Sequence, residues 1–156
     1  MISVSNRQRA RKIDLRLLEK IAAAALMELK IQEADLGIVL VGAKEMASLN
    51  EKFLQHEGPT DVITFDYSGQ GESTVRSPQP TVHRSKVHGE IFICVPEAER
   101  QAKEFGTDWF SEVARYVIHG ILHLSGHDDL QSVARKKMKR AENRLVRKIA
   151  KTITLM

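Results

Sequence analysis

Cysteine, proline and aromatic residues are all scarce in this sequence, and it contains no long hydrophobic run. Of its 156 residues one is cysteine and four are proline, and aromatics make up 5%. The single thiol, Cys94, cannot pair within the chain. It sits in the apolar run Ile91-Phe92-Ile93-Cys94-Val95, where a thiol behaves as a small buried hydrophobe. No stretch approaches the roughly 18 consecutive apolar residues of a membrane span, and the N-terminus lacks the apolar core of a secretory signal. These absences exclude a disulfide scaffold and a spanning helix, and they predict a cytoplasmic protein with no membrane partner.

What is present is enough apolar material for one core and an uneven distribution of charge. At 42% hydrophobic content, residues 1–156 suit a single domain that needs no covalent staples. The formal charge is +4. Between Val133 and Lys151 there are nine Lys or Arg against one acid, Glu142, which leaves +8 there and about −4 on the rest of the chain. That asymmetry fits a polyanionic partner, and it equally fits a solvated helix face.

The order of predicted elements is mixed, with strands in the first two thirds and helices towards the end, which points to an α+β fold. A short strand at Ile2 to Val4 precedes a helix over Leu15 to Leu29, capped by Asp14, with Leu17, Ile21, Ala24, Ala25 and Leu29 at helical spacing. A β-branched run, Leu36 to Val41, leads into a helix over Ala43 to Leu54. Thr60 to Tyr67 alternates Val62, Thr64 and Asp66 against Ile63, Phe65 and Tyr67, the period of a strand, and Gly89 to Val95 reads as another. Residues 68–87, rich in Gly, Ser, Gln and Pro, predict a mobile loop carrying Arg76, Arg84 and Lys86 outward. Helices are expected over Glu97 to Phe105, with Pro96 in the first turn and Gly106 at the end, and from Asp108 to about Ser125. A last helix spans about Leu130 to Lys151, with Leu130, Ala134, Met138, Ala141, Leu145 and Ile149 as a narrow apolar seam.

The chemistry concentrates in His119-Gly120-Ile121-Leu122-His123-Leu124-Ser125-Gly126-His127-Asp128-Asp129. Histidines four apart on a helix project from one face a turn apart, so their imidazoles can converge on one ion. Gly126, three residues on, sits where helices commonly end in a turn that glycine adopts without strain, and that turn would fold the chain back towards the same face. Asp129, or less favourably His127, can then complete three protein ligands and leave a fourth tetrahedral position for water. Zinc is the first choice for such a set, and nickel, copper or iron(II) suit it too.

The spacing is that of the metzincin-type zinc helix and turn. Metalloproteases of that type place a glutamate directly after the first histidine as general base, and here that position is Gly120, which disfavours peptide hydrolysis by the usual route. A lone histidine in an apolar helix is more often a hydrogen-bonded core residue than a ligand. The second histidine, the glycine turn and the acidic pair after it favour the metal.

This segment resembles the signature of the YbeY family of bacterial endoribonucleases, H-G-x-L-H-L-x-G-[Y]-D-H. Leu49-Asn50 followed by Pro59-Thr60-Asp61-Val62-Ile63-Thr64-Phe65 is similar to the family's L-N and P-T-D-V-L-S-F, and Gly89-Glu90-Ile91-Phe92-Ile93 to its G-D-I-x-I strand. Met138 and Glu142 in the final helix match as well. The resemblance implies a single α+β domain, a small mixed four-stranded sheet packed with about five helices, and one Zn(2+) per chain. It further implies a single-strand-specific, metal-dependent endoribonuclease acting in 16S rRNA 3′-end maturation and ribosome quality control. Partners would be ribosomal RNA and the small subunit or its associated proteins.

Carried over by residue, the resemblance makes His119 and His123 zinc ligands and puts Asp129 where the family has a third histidine; His127 takes the place of its tyrosine. It assigns no catalytic group beyond the water on the metal. Leu54 stands where the family has an arginine thought to bind phosphate, and Arg76, Arg84 or Lys86 are the candidates to replace it. Phosphate contacts would come from Arg135 to Lys151 and from Arg7, Arg9, Arg11 and Lys12. With few aromatics to stack on bases, no sequence selection is expected from the chain itself. Leu54 and Asp129 leave an alternative, a non-catalytic ribosome assembly factor with a structural metal.

Overall fold

Four apolar or β-branched segments form one sheet: β1 (Ile2–Asn6), β2 (Glu33–Val41), β3 (Val62–Asp66) and β4 (Lys86–Cys94). The computed structural model describes residues 1–54, 61–68, 85–127 and 131–154. The strand order is β1-β2-β4-β3, with β1, β2 and β4 parallel and β3 antiparallel to β4. Five α-helices complete the described residues: α1 (Leu15–Glu28), α2 (Ala43–Leu49), α3 (Val95–Phe105), α4 (Trp109–Leu124) and α5 (Ser132–Thr154). The mixed four-stranded sheet and the helix number are those expected for an α+β fold.

Local signals set most helix boundaries. Asp14 accepts a hydrogen bond from the Leu17 amide at 3.1 Å, and Asp108 accepts one from Ser111 at 3.2 Å, so each carboxylate satisfies an amide with no partner inside its helix. Several boundaries differ from the sequence reading, among them β2, which starts at Glu33 in place of Leu36, and α5, which runs to Thr154 in place of Lys151. The helix expected to run to Leu54 is α-helical only to Leu49 and continues as a π-helical turn, Asn50–Leu54. Strand β4 begins at Lys86, inside the segment read as loop, because residues 86–88 pair with the start of β2. Polar side chains support that pairing: Lys86 lies 3.5 Å from Glu33 and His88 3.7 Å from Asp35. Arg76 and Arg84 fall outside the described residues.

Strand alternation divides the sheet into two faces. Leu36, Ile38 and Leu40 of β2 and Ile91 and Ile93 of β4 pack under α1, α4 and α5, whereas Val39, Val41 and Cys94 meet Met46 of α2 on the other side. Burial raises the Cys94 thiol above its ordinary value, in keeping with its place as a core hydrophobe.

Two glycines let α4 lie close on β4. A Cβ at Gly120 would fall 2.7 to 2.9 Å from three carbons of the fully buried Ile91. One at Gly89 would fall 2.4 Å from the Phe65 carbonyl oxygen and 2.7 Å from Leu124 Cδ2. The second conflict is with backbone, which cannot swing aside. Gly89→Ala is therefore expected to cost more than the roughly 1–3 kcal/mol typical of overpacking, and Gly120→Ala to fall within that range despite alanine's better helix propensity. Urea unfolding of the two variants beside wild type checks this; unchanged midpoints would mean that α4 does not rest on these glycines. No helix among the described residues is long and apolar enough to cross a membrane.

Candidate metal centre

Helix α4 is the scaffold of the site. Its apolar side, which includes Val113, Val117, Ile121 and Leu124, is sunk in the core, and residues one turn apart on the flank stay half-exposed. His119 and His123 occupy that flank. Their rings are 4.7 Å apart between centroids, and the two Nε2 atoms face each other at 3.2 Å. Two nitrogens bound at about 2.0–2.1 Å to one tetrahedral ion lie about 3.3 Å apart, so the pair is already at the separation that a shared metal requires.

The helix ends at the expected glycine. The amide of Gly126 donates to the His123 carbonyl at 3.1 Å, and that of His127 donates to Leu122 at 2.9 Å. These are the two reciprocal bonds of a Schellman ending, and Gly126 takes φ 111°, a conformation that strains any residue with a Cβ. Asp129, the predicted third ligand, lies outside the described residues. Among the described residues no group of three His, Cys, Asp or Glu could hold a metal ion.

The first histidine is held from behind. Its Nδ1 lies 2.8 Å from Glu142 Oε1, across from α4 on α5. A carboxylate there fixes the proton on Nδ1, which then donates, and leaves the Nε2 lone pair turned towards His123. Glu142 is 3% exposed and also accepts from Arg115 Nη1 at 2.6 Å and Lys139 Nζ at 2.9 Å. Burial alone would raise its pKa, but the hydrogen bonds from His119, Lys139 and Arg115 outweigh it and hold the carboxyl at about 2. Glu142 is therefore ionised at neutral pH.

Beside His119 opens a cavity of about 490 Å³ walled by α3, α4, α5 and the start of β3. Asp61 reaches it from the entry to β3, with its Oδ1 accepting from the Val62 amide at 2.8 Å. The cations on its wall are Arg115, Arg135 and Lys139. Lys86 is elsewhere, at the head of β4. The remaining Lys and Arg of α5 are exposed, and Met138, Ala141, Leu145 and Ile149 form its buried seam, with Glu142 among them. In the N-terminal group, Arg7 pairs with Glu45 at 2.8 Å and Arg11 with Glu99 at 3.2 Å, which leaves α5 as the broader cationic face.

Sequence reasoning named the histidine pair but missed what surrounds it. Arg115 stands four residues before His119, so positions 115, 119 and 123 form one stripe at helical spacing. Glu142 entered only as a family match, although a lone acid among nine cations was itself a sign of a buried partner.

The chain matches the family model described as Endoribonuclease YbeY over residues 3–150. It is 37% identical over 134 residues to an endoribonuclease YbeY of Dehalococcoides mccartyi, covering 81% of this chain and 82% of that one. The corresponding protein of Chlorobium luteolum is 31% identical over 133 residues, covering 85% and 87%. The solution structure of TM1509 from Thermotoga maritima superposes with a TM-score of 0.64 at 27% identity, covering 96% of this chain and 89% of that one.

Proposed function

The chain belongs to the YbeY family of endoribonucleases, and from that premise we propose that it cuts single-stranded RNA at a centre built on His119 and His123, with Asp129 as third ligand of one zinc ion. The observation that carries this reading is the 3.2 Å approach of the two Nε2 atoms with a buried carboxylate on the Nδ1 of the first. When bound, zinc supplies a Lewis acid for a phosphoryl oxygen and a nucleophile at neutral pH. Glu142 keeps His119 in the ligating tautomer. Arg115 and Lys139, beside it, bring positive charge to the place where phosphate charge develops, the role that the family's arginine would have at Leu54.

The exposed cations of α5 would hold the RNA by its phosphates without reading sequence. The proposed setting is 16S rRNA 3′-end maturation and ribosome quality control in the cytoplasm, with the small ribosomal subunit or its proteins supplying the choice of site. Leu54 supports a second reading, an assembly factor whose metal is structural.

One assay separates them. Zinc-loaded protein is incubated with a labelled single-stranded RNA and with the same strand in a duplex. Internal cleavage of the single strand alone, stopped by a chelator and restored by zinc, is expected. Stoichiometric zinc with both RNAs intact would give the assembly-factor reading its place.

A further inference from the structure

Helix α5 carries two sets of cations that cannot serve the same phosphates. Arg135 and Lys139 line the cavity beside His119, which α4 and α5 wall together. Lys136, Arg140, Arg144, Arg147 and Lys151 are placed differently. Each is exposed, and each stands two positions, about half a turn, from one of the buried residues Met138, Glu142, Leu145 and Ile149. The five therefore share the face of α5 directed away from the core. Successive members are three or four residues apart, which makes them a single row along the helix axis.

We propose that this outer face of α5 is a docking surface for the backbone of an RNA double helix, and that the substrate is a single strand adjoining such a helix. The inference rests on the reading that a single strand is cut at the His119 and His123 pair, and it names what lies beside that strand.

The row has the properties of a backbone reader. From Lys136 to Lys151 it spans about 22 Å at the helical rise of about 1.5 Å per residue. Among the described residues none of its five members pairs with a carboxylate, whereas Lys139 is tied to Glu142 and Lys148 to Glu28. Like charges one turn apart repel, and a polyanion laid along the row relieves that repulsion.

Two features favour a duplex over a single strand. Helix α5 has no aromatic residue, so the row offers phosphate contacts but no ring for an unpaired base to stack on, the usual second component of a single-strand groove. A duplex also keeps its phosphates in a stiff line, carries more of them per unit length, and releases more counterions for each one contacted. The apolar side of α5 is committed to the core through Met138, Leu145 and Ile149, so the helix has no face to insert into a lipid surface.

An α-helix with its side chains is about 10–12 Å across, so phosphates on the outer row and phosphates at the metal centre belong to different parts of the RNA. A stem held on the row would bring the unpaired nucleotides next to it to the histidines.

The test uses the full zinc-loaded chain and a short blunt RNA duplex, which the nuclease reading leaves uncut, followed by fluorescence anisotropy. Saturable binding is expected, with log Kd rising against log salt at a slope of about 4–5 between about 50 and 200 mM. The triple variant Lys136→Gln, Arg140→Gln, Arg144→Gln should raise Kd at least about 10-fold and reduce the slope to about 2. Its thermal unfolding should be unchanged or slightly later, since the substitutions relieve repulsion on an exposed face. His123→Ala should bind the duplex as wild type does, because the row lies apart from the metal. On that background, where a single strand stays uncut, a strand of the same length should bind more weakly and with a smaller slope. A triple variant with the wild-type Kd and slope, a single strand bound as tightly as the duplex, or duplex binding lost in His123→Ala would each overturn the docking surface. Cleavage of a free single strand without duplex binding removes the docking surface alone. Duplex binding through the row, with a single strand attached to that duplex left intact by zinc-loaded wild type, removes the nuclease reading and leaves the row a surface for duplex RNA.

Discussion

A His123→Ala protein is expected to fold, to lose its zinc and to cut RNA at least about 10³-fold more slowly, since a Lewis acid contributes several kcal/mol to the transition state of such a reaction. The expectation follows from geometry. His123 is half-exposed near the end of α4, so its removal opens no cavity in the core, and alanine is the better helix former. What disappears is one of two nitrogens that face each other at 3.2 Å, and on the proposed ligand set its loss leaves only His119 and Asp129, one protein ligand short of a catalytic zinc site. His119→Ala should behave alike and should also free Glu142 from its contact. His127→Ala should keep the metal, and Asp129→Ala should lose it. Metal content by mass spectrometry, read beside cleavage of a single-stranded RNA, checks the set. Full zinc in the His123→Ala protein would remove the pair as ligands, and loss of zinc from His127→Ala in place of Asp129→Ala would move the third ligand.

The parts of this structure that could be read from sequence are those whose cause lies within a few residues. Asp14 and Asp108 announce their helices because a short carboxylate can reach an amide three positions on. Gly126 announces the end of α4 because few other residues take its φ without strain. The histidine pair is legible for the same reason, a four-residue spacing on a helix.

What was not legible depends on elements far apart in the chain. The first residues of β4 look like loop, since Lys86 and His88 are polar, and only their pairing with Glu33 and Asp35 across the ladder makes them strand. The absence of a proton-transferring group at Gly120 could be seen; the reason for glycine there could not. A Cβ at that position would meet Ile91 in the core, so the residue that follows the first histidine faces the sheet and is committed to the close packing of α4. The same packing fixes the height of the histidines over the cavity, which joins the core to the site.

Glu142 shows how far that coupling extends, and its replacement should be felt in stability, in metal affinity and in acid tolerance together. Removing one member of a buried ion pair costs about 3–5 kcal/mol when the survivors stay unpaired. Here Arg115 is 29% exposed and Lys139 61%, so water can take over part of the carboxylate's work, and Glu142→Ala should fall near the lower end. Zinc affinity should fall by about 10–100-fold, the usual effect of removing the group that orients a ligating histidine. Acid gives the third readout. A carboxyl held at about 2 in the folded protein, against about 4.3 in an unfolded chain, adds stability that is complete above the unfolded value and is lost as pH falls towards the folded one. Wild type should thus lose stability between about pH 5 and pH 2 more steeply than Glu142→Gln, which keeps the shape of the side chain and has nothing to titrate. Urea unfolding at pH 7, 4 and 3 measures the difference, and parallel curves for the two proteins would mean that Glu142 does not carry the charge that holds α5 against α4.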